Sequence, residues 1–93
     1  MNLITEGAIT FETEGAFYNP KMLLNRDIGV AMAGSLGLSE YLDALSASGI
    51  RGLRVAKEAG AEKVTLNDVS PQACALIEKN MAICSQDFFK LSV

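Results

Sequence analysis

Apolar and polar side chains alternate in residues 6–13, where Ile9 and Phe11 fall on one side and Thr10 and Glu12 on the other. A period of two is typical of a half-buried β-strand whose apolar residues face the core. The pattern predicts that a strand, alone or within a hairpin, lies near the start of the chain.

A helix is predicted to begin at Asn19 and Pro20. Asparagine at the N-cap accepts a free backbone N–H, and proline fits the first helical position because its missing N–H would have no partner there. Leu24, Ile28 and Ala31 recur at helical spacing, so we expect them to form the buried stripe of this helix.

Two further helices are indicated downstream. The first carries Ile50, Leu53 and Ala56 on one face and ends at Gly60, a residue type that favours helix C-termini. The second begins at Ser70-Pro71, which repeats the cap-plus-proline signal. Its predicted buried face consists of Ala73, Leu76, Ile77, Asn80, Met81 and Cys84.

Short apolar segments at residues 41–45, 63–66 and 88–93 alternate with these helices and are predicted strands. Strand, helix, strand, helix and strand at this spacing is the pattern of a parallel sheet with crossover helices. The predicted fold class is α/β. We expect residues 1–40 to form an N-terminal strand or hairpin plus helix, and residues 41–93 to form the first βαβαβ part of a Rossmann-like domain.

The chain has 93 residues, of which 49% are hydrophobic, so it holds one core at most. Parallel sheets occur almost only when both faces are packed, and three strands leave an edge and apolar faces uncovered. We therefore expect a piece of a larger domain that is inactive alone and self-associates through its open sheet edge.

Composition excludes several classes of function. A net charge of −3 argues against nucleic-acid binding by this segment alone, and the absence of histidine excludes His-based triads and His metal sites.

Cys74 and Cys84 lie ten residues apart, which predicts buried free thiols rather than a CxxC motif or a short disulfide. There is no signal-peptide pattern at the start, and the uncharged run at residues 28–38 is too short to cross a bilayer. A cytoplasmic protein without a membrane segment is expected.

Residues 42–54 lead from a predicted strand through small side chains, including Ser46 and Gly49, into a helix. That arrangement suits a nucleotide-type ligand, although any tight strand-to-helix turn also favours small residues.

Three residues in this segment are unfavourable for the local structure in which they are predicted to lie. Arg51 opposes the helix dipole in the first turn, Gly52 weakens a helix, and Asp43 places a carboxylate in an apolar strand. An anionic ligand would suit Arg51, close approach of a ligand or strand would explain Gly52, and Asp43 should have a donor partner.

Two more charged residues have open interpretations. Asp68 follows Gly49 by 19 residues and ends a strand, where an acidic side chain often binds both hydroxyls of an adenosine ribose. It is equally compatible with a simple turn before Ser70. Arg26 lies about 200° around its helix from Leu24, opposite the predicted stripe, which favours a solvated side chain.

Three segments together resemble the tRNA guanine-26 N2-dimethyltransferases of archaea and eukaryotes. FYNPKMLLNRD at residues 17–27 resembles the family's opening motif, and residues 42–54 resemble its cofactor loop, with Ser48 where threonine is more usual. NDVS at residues 67–70 resembles its ribose-binding turn. The order and spacing agree over residues 6–84.

The resemblance implies a partial class I methyltransferase fold that binds S-adenosyl-L-methionine and acts on tRNA. It implies that Arg26 and Arg51 contact the amino-acid end of that cofactor and that Asp68 contacts its ribose. Asp43, Ser46 and Gly49 would support the loop. No counterpart of the family's later Asp-Pro-Phe-type motif occurs before Val93, so the resemblance implies no catalytic residue here.

One competing enzyme class is an NAD-type oxidoreductase, because residues 47–52 miss the GxGxxG fingerprint by one position. That alternative leaves the motif around Asn19 and Arg26 unexplained. A non-enzymatic, self-associating fragment is the other alternative.

Overall fold

The structure is a computed structural model that describes residues 3–13, 18–44, 46–84 and 90–92. In these residues two strands come first, and three α-helices then alternate with three further strands. Their bounds are β1 Leu3–Glu6, β2 Ile9–Glu12, α1 Leu23–Leu36, β3 Glu40–Asp43, α2 Ile50–Glu58, β4 Lys63–Leu66, α3 Pro71–Ile83 and β5 Lys90–Ser92. The predicted strands at residues 41–45, 63–66 and 88–93 are thus present, although Leu45, Phe88, Phe89 and Val93 lie outside the described residues.

An antiparallel hairpin is formed by β1 and β2, with Glu6 opposite Ile9 and a turn at Gly7, where φ is +57°. Ile9 and Phe11 are buried as the alternation predicts. The solvent-facing side is predicted wrongly at Glu12, which is only 3% exposed. Its backbone is bound by a side chain of α3, and this long-range contact covers the strand from the other side.

The second sheet is parallel, with strand order β3-β4-β5. Asp43 at the end of β3 pairs in register with Leu66 at the end of β4. Because the carboxyl ends of parallel strands meet at one edge, the loops after Asp43 and Leu66 lie side by side.

Side-chain caps begin two helices where the sequence predicts them. The Asn19 side chain accepts from the backbone N–H of Lys21 at 3.0 Å and starts a 3-10 turn, Pro20–Met22, that leads into α1. The Ser70 hydroxyl accepts from the N–H of Ala73 at 3.3 Å at the start of α3. The cap at Ser70 is confirmed. Asn19 caps the 3-10 turn as predicted, but α1 itself begins three residues later than predicted, at Leu23, with Met22 as its N-cap.

The buried face of α1 is the clearest error of the sequence interpretation. Leu24 and Ile28 are 69% and 52% exposed, and Ala31 is exposed as well. The buried residues are Arg26, Val30 and Ala33. This side is buried because Arg26 binds the carboxylate of Glu6 on β1, a contact that the apolar spacing of α1 does not reveal.

The core lies between the hairpin, α2, α3 and the parallel sheet. Ile50, Leu53 and Ala56 of α2 are buried as predicted, and so are Leu76, Ile77, Asn80 and Cys84 of α3 and its C-cap. Ala73 and Met81, which were predicted for the same face of α3, are only half-buried. Both cysteines are free thiols, although Cys74 is only half-buried. Within the described part of the chain, no helix has the length and apolar character needed to cross a membrane.

Candidate functional site

The loop between β3 and α2 is held to the neighbouring strand by Ser46. Its hydroxyl donates to the carbonyl of Asp43 at 2.7 Å and accepts from the N–H of Asn67 at 3.0 Å. Gly49 is the N-cap of α2 and has φ +87°, a conformation that L side chains rarely adopt. These two residues set the path of the loop and the point where α2 begins.

Asp43 has the donor partner that the sequence analysis expected. The N–H of Gly52, in the first turn of α2, donates to the Asp43 carboxylate at 3.1 Å. A carboxylate at this position also complements the helix dipole. The residue is 8% exposed, and burial raises the pKa of Asp43 despite that hydrogen bond.

Gly52 allows α2 to lie against the ends of β3 and β4. A Cβ at this position would overlap the side chain of Leu66 and lie 3.2 Å from the Cβ of Asp43. The close neighbours are therefore strand residues. Of the two reasons expected for this glycine, close approach of a ligand or of a strand, the strand is therefore sufficient.

A hollow of about 170 Å³ opens in front of this loop. It lies between the start of α1 and the β3–α2 connection. Arg26, Arg51, Asp43 and Ser46, four of the six residues singled out from the sequence, line it. The other lining residues are Tyr18, Asn19, Met22, Ala47, Ser48 and Ile50.

Arg26 is buried beside the hollow in a cluster of charges. Its Nε and Nη2 donate to the two carboxylate oxygens of Glu6, the closest pair at 2.6 Å, and Nη2 also donates to the carbonyl of Asn19 at 3.1 Å. The guanidinium carbon lies 4.7 Å from the centre of the Tyr18 ring. The position of Arg26 opposite the apolar stripe favoured a solvated side chain, and this expectation is wrong.

Glu6 is shared between two arginines, because Arg54 also donates to it, at 3.0 Å. Burial by itself would raise the pKa of Glu6, but hydrogen bonds from Arg26 and Tyr18 lower it below the usual value overall. Hydrogen bonds to Glu6, set against burial, raise the pKa of Arg26. Both groups are thus ionised at neutral pH.

Arg51 reaches the hollow from the first turn of α2. Its Nη2 donates to the side-chain oxygen of Asn25 at 2.8 Å. A Cβ added at Gly29 would lie only 2.6 Å from the Nη1 of Arg51. The missing side chain at Gly29 leaves room for the guanidinium against α1. Arg51 therefore bridges the two helices that flank the hollow.

Ser48 is fully buried and also lines the hollow. Among the described residues, its hydroxyl has no hydrogen-bond partner. Buried hydroxyls are usually satisfied, so an unpaired one next to a hollow and a helix N-terminus is a position where a polar ligand atom would be favoured.

Asp68 and Gly49 are the two predicted site residues that are not among those lining the hollow. The Asp68 carboxylate accepts from the N–H of Ala47, a lining residue, at 3.1 Å and from the N–H of Ser70 at 3.0 Å. The bonds to Ser70 and Ala47 lower the pKa of Asp68. The turn before α3 is therefore formed by Asp68, which also lies directly behind the loop.

Several contributors were not identified from the sequence. Glu6 binds Arg26 and Tyr18 packs against it, while Asn80 of α3 donates to the carbonyl of Ser48 at 2.8 Å. Tyr18 stands in the opening motif, which was a usable signal. Asn80 was predicted to be buried, but its hydrogen-bond partners could not be read from the sequence because they lie far away along the chain. Glu6 carried no signal for the same reason.

Comparison with known proteins adds to this geometry. Residues 2–90 match the family described as N2,N2-dimethylguanosine tRNA methyltransferase. The chain belongs to this family. The resemblance carried by residues 17–27, 42–54 and 67–70 is thereby confirmed.

Relatives in this methyltransferase family are similar over most of the chain. The tRNA (guanine(26)-N(2))-dimethyltransferase of Archaeoglobus fulgidus is 49% identical over 78 residues, which are 84% of this chain and 22% of that protein. The enzyme of the same name from Thermococcus kodakarensis is 55% identical over 67 residues, 72% of this chain and 18% of that protein. The chain thus spans about a fifth of the length of these relatives.

A solved structure of the same family has the same fold. It is the complex of Trm1 from Pyrococcus horikoshii with S-adenosyl-L-methionine, which matches with a TM-score of 0.84 and 42% identity. The match covers 90% of this chain and 24% of that one. The predicted α/β class and partial methyltransferase fold are confirmed.

Proposed function

We propose that this chain forms the S-adenosyl-L-methionine-binding part of a tRNA guanine-26 N2-methyltransferase. The observation that carries the proposal is the hollow in front of the β3–α2 loop, into which Arg26 and Arg51 bring two positive charges. The family membership and the solved Trm1 complex with S-adenosyl-L-methionine support it. Further parts of such an enzyme, about four fifths of the relatives' length, would supply the target-base site and the tRNA contacts.

The residues present fit such a ligand. The amino-acid end of S-adenosyl-L-methionine carries a carboxylate, which suits the side of the hollow where Arg26 and Arg51 lie. The unpaired, fully buried Ser48 hydroxyl offers one more polar contact at the start of α2. Asp43 supplies a carboxylate on the other side of the arginines' positive charge, and the hydrogen bond that it accepts from Gly52 fixes the first turn of α2.

We assign the remaining roles as follows. Asp68 would accept hydrogen bonds from the ribose hydroxyls, since its carboxylate is already oriented by Ala47 and Ser70 and a carboxylate has lone pairs left for a diol. Ser46 and Gly49 would keep the loop backbone at the distance that the ligand requires.

When bound, the cofactor would supply an electrophilic methyl group on a sulfonium, from which the neutral thioether is a good leaving group. This chain's own residues would therefore bind and orient it, because alignment of the two reactants is the main requirement for such a transfer. Proton removal from the guanine amine would be the task of residues beyond those described.

Isothermal titration calorimetry on the complete gene product tests the proposal, with S-adenosylhomocysteine and NAD as separate titrants. We expect heat from S-adenosylhomocysteine and none from NAD. Heat from NAD alone would instead support the dinucleotide-dependent oxidoreductase, the alternative suggested by residues 47–52.

The role of Asp68 is tested by Asp68→Ala in the same protein. Loss of the ribose contact should weaken S-adenosylhomocysteine binding by about tenfold or more, the magnitude of a charge-assisted hydrogen bond. Glu62→Ala, at an exposed position, is the matched control. Unchanged affinity of the Asp68 variant would remove this residue from the site.

We make three further proposals. We propose that the chain by itself self-associates through an open sheet edge, since the described parallel sheet ends at β3 and β5; a monomer by light scattering would contradict this. We also propose a cytoplasmic location, to be checked by fractionation. Limited proteolysis near residue 40 would test the division into residues 1–40 and 41–93.

A further inference from the structure

Glu6 lies at the end of β1, remote from the loop motifs, yet its side chain reaches the candidate site. The residue is 4% exposed and accepts hydrogen bonds from three side chains. These come from Arg26 at 2.6 Å and 2.8 Å, from the Tyr18 hydroxyl at 2.8 Å and from Arg54 at 3.0 Å. A buried carboxylate with this many donors is fixed in one orientation.

The bonds to Glu6 determine which part of Arg26 remains for a ligand. In residues 3–13, 18–44 and 46–84, the hydrogen bonds of Arg26 use Nε and Nη2, which bind Glu6 and the carbonyl of Asn19. The Tyr18 ring covers one face of the guanidinium. Nη1 is the remaining nitrogen, and Arg26 lines the hollow.

Arg54 is a second arginine that holds Glu6 in place. It is 5% exposed and binds Glu58 and Asp27, at 2.8 Å and 2.7 Å, in addition to Glu6. Glu6 is therefore restrained by contacts that do not involve Arg26. The carboxylate acts as a fixed support between an anchored arginine and the arginine at the hollow.

We propose that Glu6 is a positioning residue for the cofactor site, which holds the guanidinium of Arg26 so that Nη1 meets the amino-acid end of S-adenosyl-L-methionine. The inference rests on the proposed function. It assigns a binding role to the N-terminal hairpin, which carries none of the loop motifs.

The test compares two ligands on the complete gene product. S-adenosylhomocysteine has the amino-acid end, whereas 5′-methylthioadenosine keeps the adenosine and the sulfur but lacks that end. In Glu6→Gln, which keeps the shape of the side chain and removes its charge, the Kd for S-adenosylhomocysteine should rise about tenfold, the equivalent of one misplaced charge-assisted hydrogen bond. The Kd for methylthioadenosine should change less than about twofold by the same arithmetic.

Glu58→Gln is the matched control, because it removes the same charge from the same cluster at a residue bound to Arg54 and not to Arg26. It should leave the ratio of the two Kd values unchanged. Glu6→Asp is the second variant; it keeps the charge but is shorter by one methylene, and the same selective loss is expected. If Glu6→Gln does not fold, Glu6→Asp decides by the same criterion.

Equal weakening of both ligands by the Glu6 variants would show a purely structural role and overturn the inference. Unchanged affinity for S-adenosylhomocysteine would overturn it as well. If the unaltered protein binds neither ligand, the proposed function itself fails and the positioning role fails with it. If that protein binds both ligands and only the Glu6 result disagrees, the proposed function stands without this role.

Discussion

Asn80 connects three parts of the fold through one side chain, and its replacement gives a sharp test of the structure. The residue is fully buried in α3. Its Oδ1 accepts from the N–H of Glu12 at 2.7 Å, and its Nδ2 donates to the carbonyls of Glu12 and Ser48, both at 2.8 Å. Asn80→Ala would leave three buried backbone groups without a partner.

Each buried group left unpaired costs about 1 to 3 kcal/mol, so Asn80→Ala should lower the free energy of unfolding by at least about 3 kcal/mol. For a domain of this size, that corresponds to a fall in melting temperature of at least about 12 °C. Thermal unfolding of the chain, followed by far-UV circular dichroism, measures it. Asn80→Asp should lose nearly as much at neutral pH, because a carboxylate cannot donate to the carbonyls of Glu12 and Ser48.

Glu78→Ala is the control, since Glu78 is exposed on the same helix. Its effect should stay within about 0.5 kcal/mol, as for other surface substitutions. A shift for Asn80→Ala no larger than that of Glu78→Ala would refute the assignment of these three hydrogen bonds.

Three further outcomes are expected. Gly52→Ala should destabilise the chain by about 1 to 3 kcal/mol, measured by urea unfolding, because the new methyl overlaps Leu66; a gain in stability would contradict the close approach. Burial raises the pKa of Asp43, so the folded state loses stability relative to the unfolded state as the pH rises above the ordinary aspartate pKa. The melting temperature of Asp43→Asn should therefore rise relative to that of the unaltered chain as the pH is raised from about 3 to about 7. A difference in melting temperature that does not change with pH would contradict this. Ser70→Ala should cost about 1 kcal/mol in the same urea assay through loss of the bond to Ala73, and an unchanged midpoint would exclude this cap.

Local signals predicted most of the element boundaries. Asn19-Pro20 and Ser70-Pro71 act through neighbours within three residues, so their caps are readable from the sequence alone. Lys63–Leu66 is a strand as predicted, because a short apolar segment that follows a helix-ending glycine is typical of a buried strand. These contacts need no knowledge of the rest of the chain.

The face of α1 could not be predicted because the deciding contacts are long-range. Leu24 and Ile28 have the right spacing for a core stripe, but Arg26 is buried by Glu6, 20 residues earlier, and the same carboxylate also binds Arg54. A buried charge requires a partner, and the identity of that partner depends on the tertiary fold. The same reason explains why Glu6 was missing from the predicted site although Arg26 was included.

The loop after β3 could be predicted from the sequence only in part. The carboxylate of Asp43 in an apolar strand and the glycine at residue 52 were conspicuous in the sequence, and one explains the other: the helix approaches closely and donates its N–H to the acid. Neither observation required a ligand. Local irregularities therefore located the loop correctly, while the ligand had to be inferred from the charges around the hollow and from the family.

The hydrogen bonds between Glu12 and Asn80 join residues that are 68 positions apart. During synthesis on the ribosome, the N-terminal hairpin must therefore wait for α3 to emerge before its buried backbone groups are satisfied. At typical elongation rates this interval is on the order of ten seconds. Nascent copies of this chain should consequently expose the hairpin to chaperones without its partner α3 throughout that time, and ligand binding should appear only after α3 has left the exit tunnel.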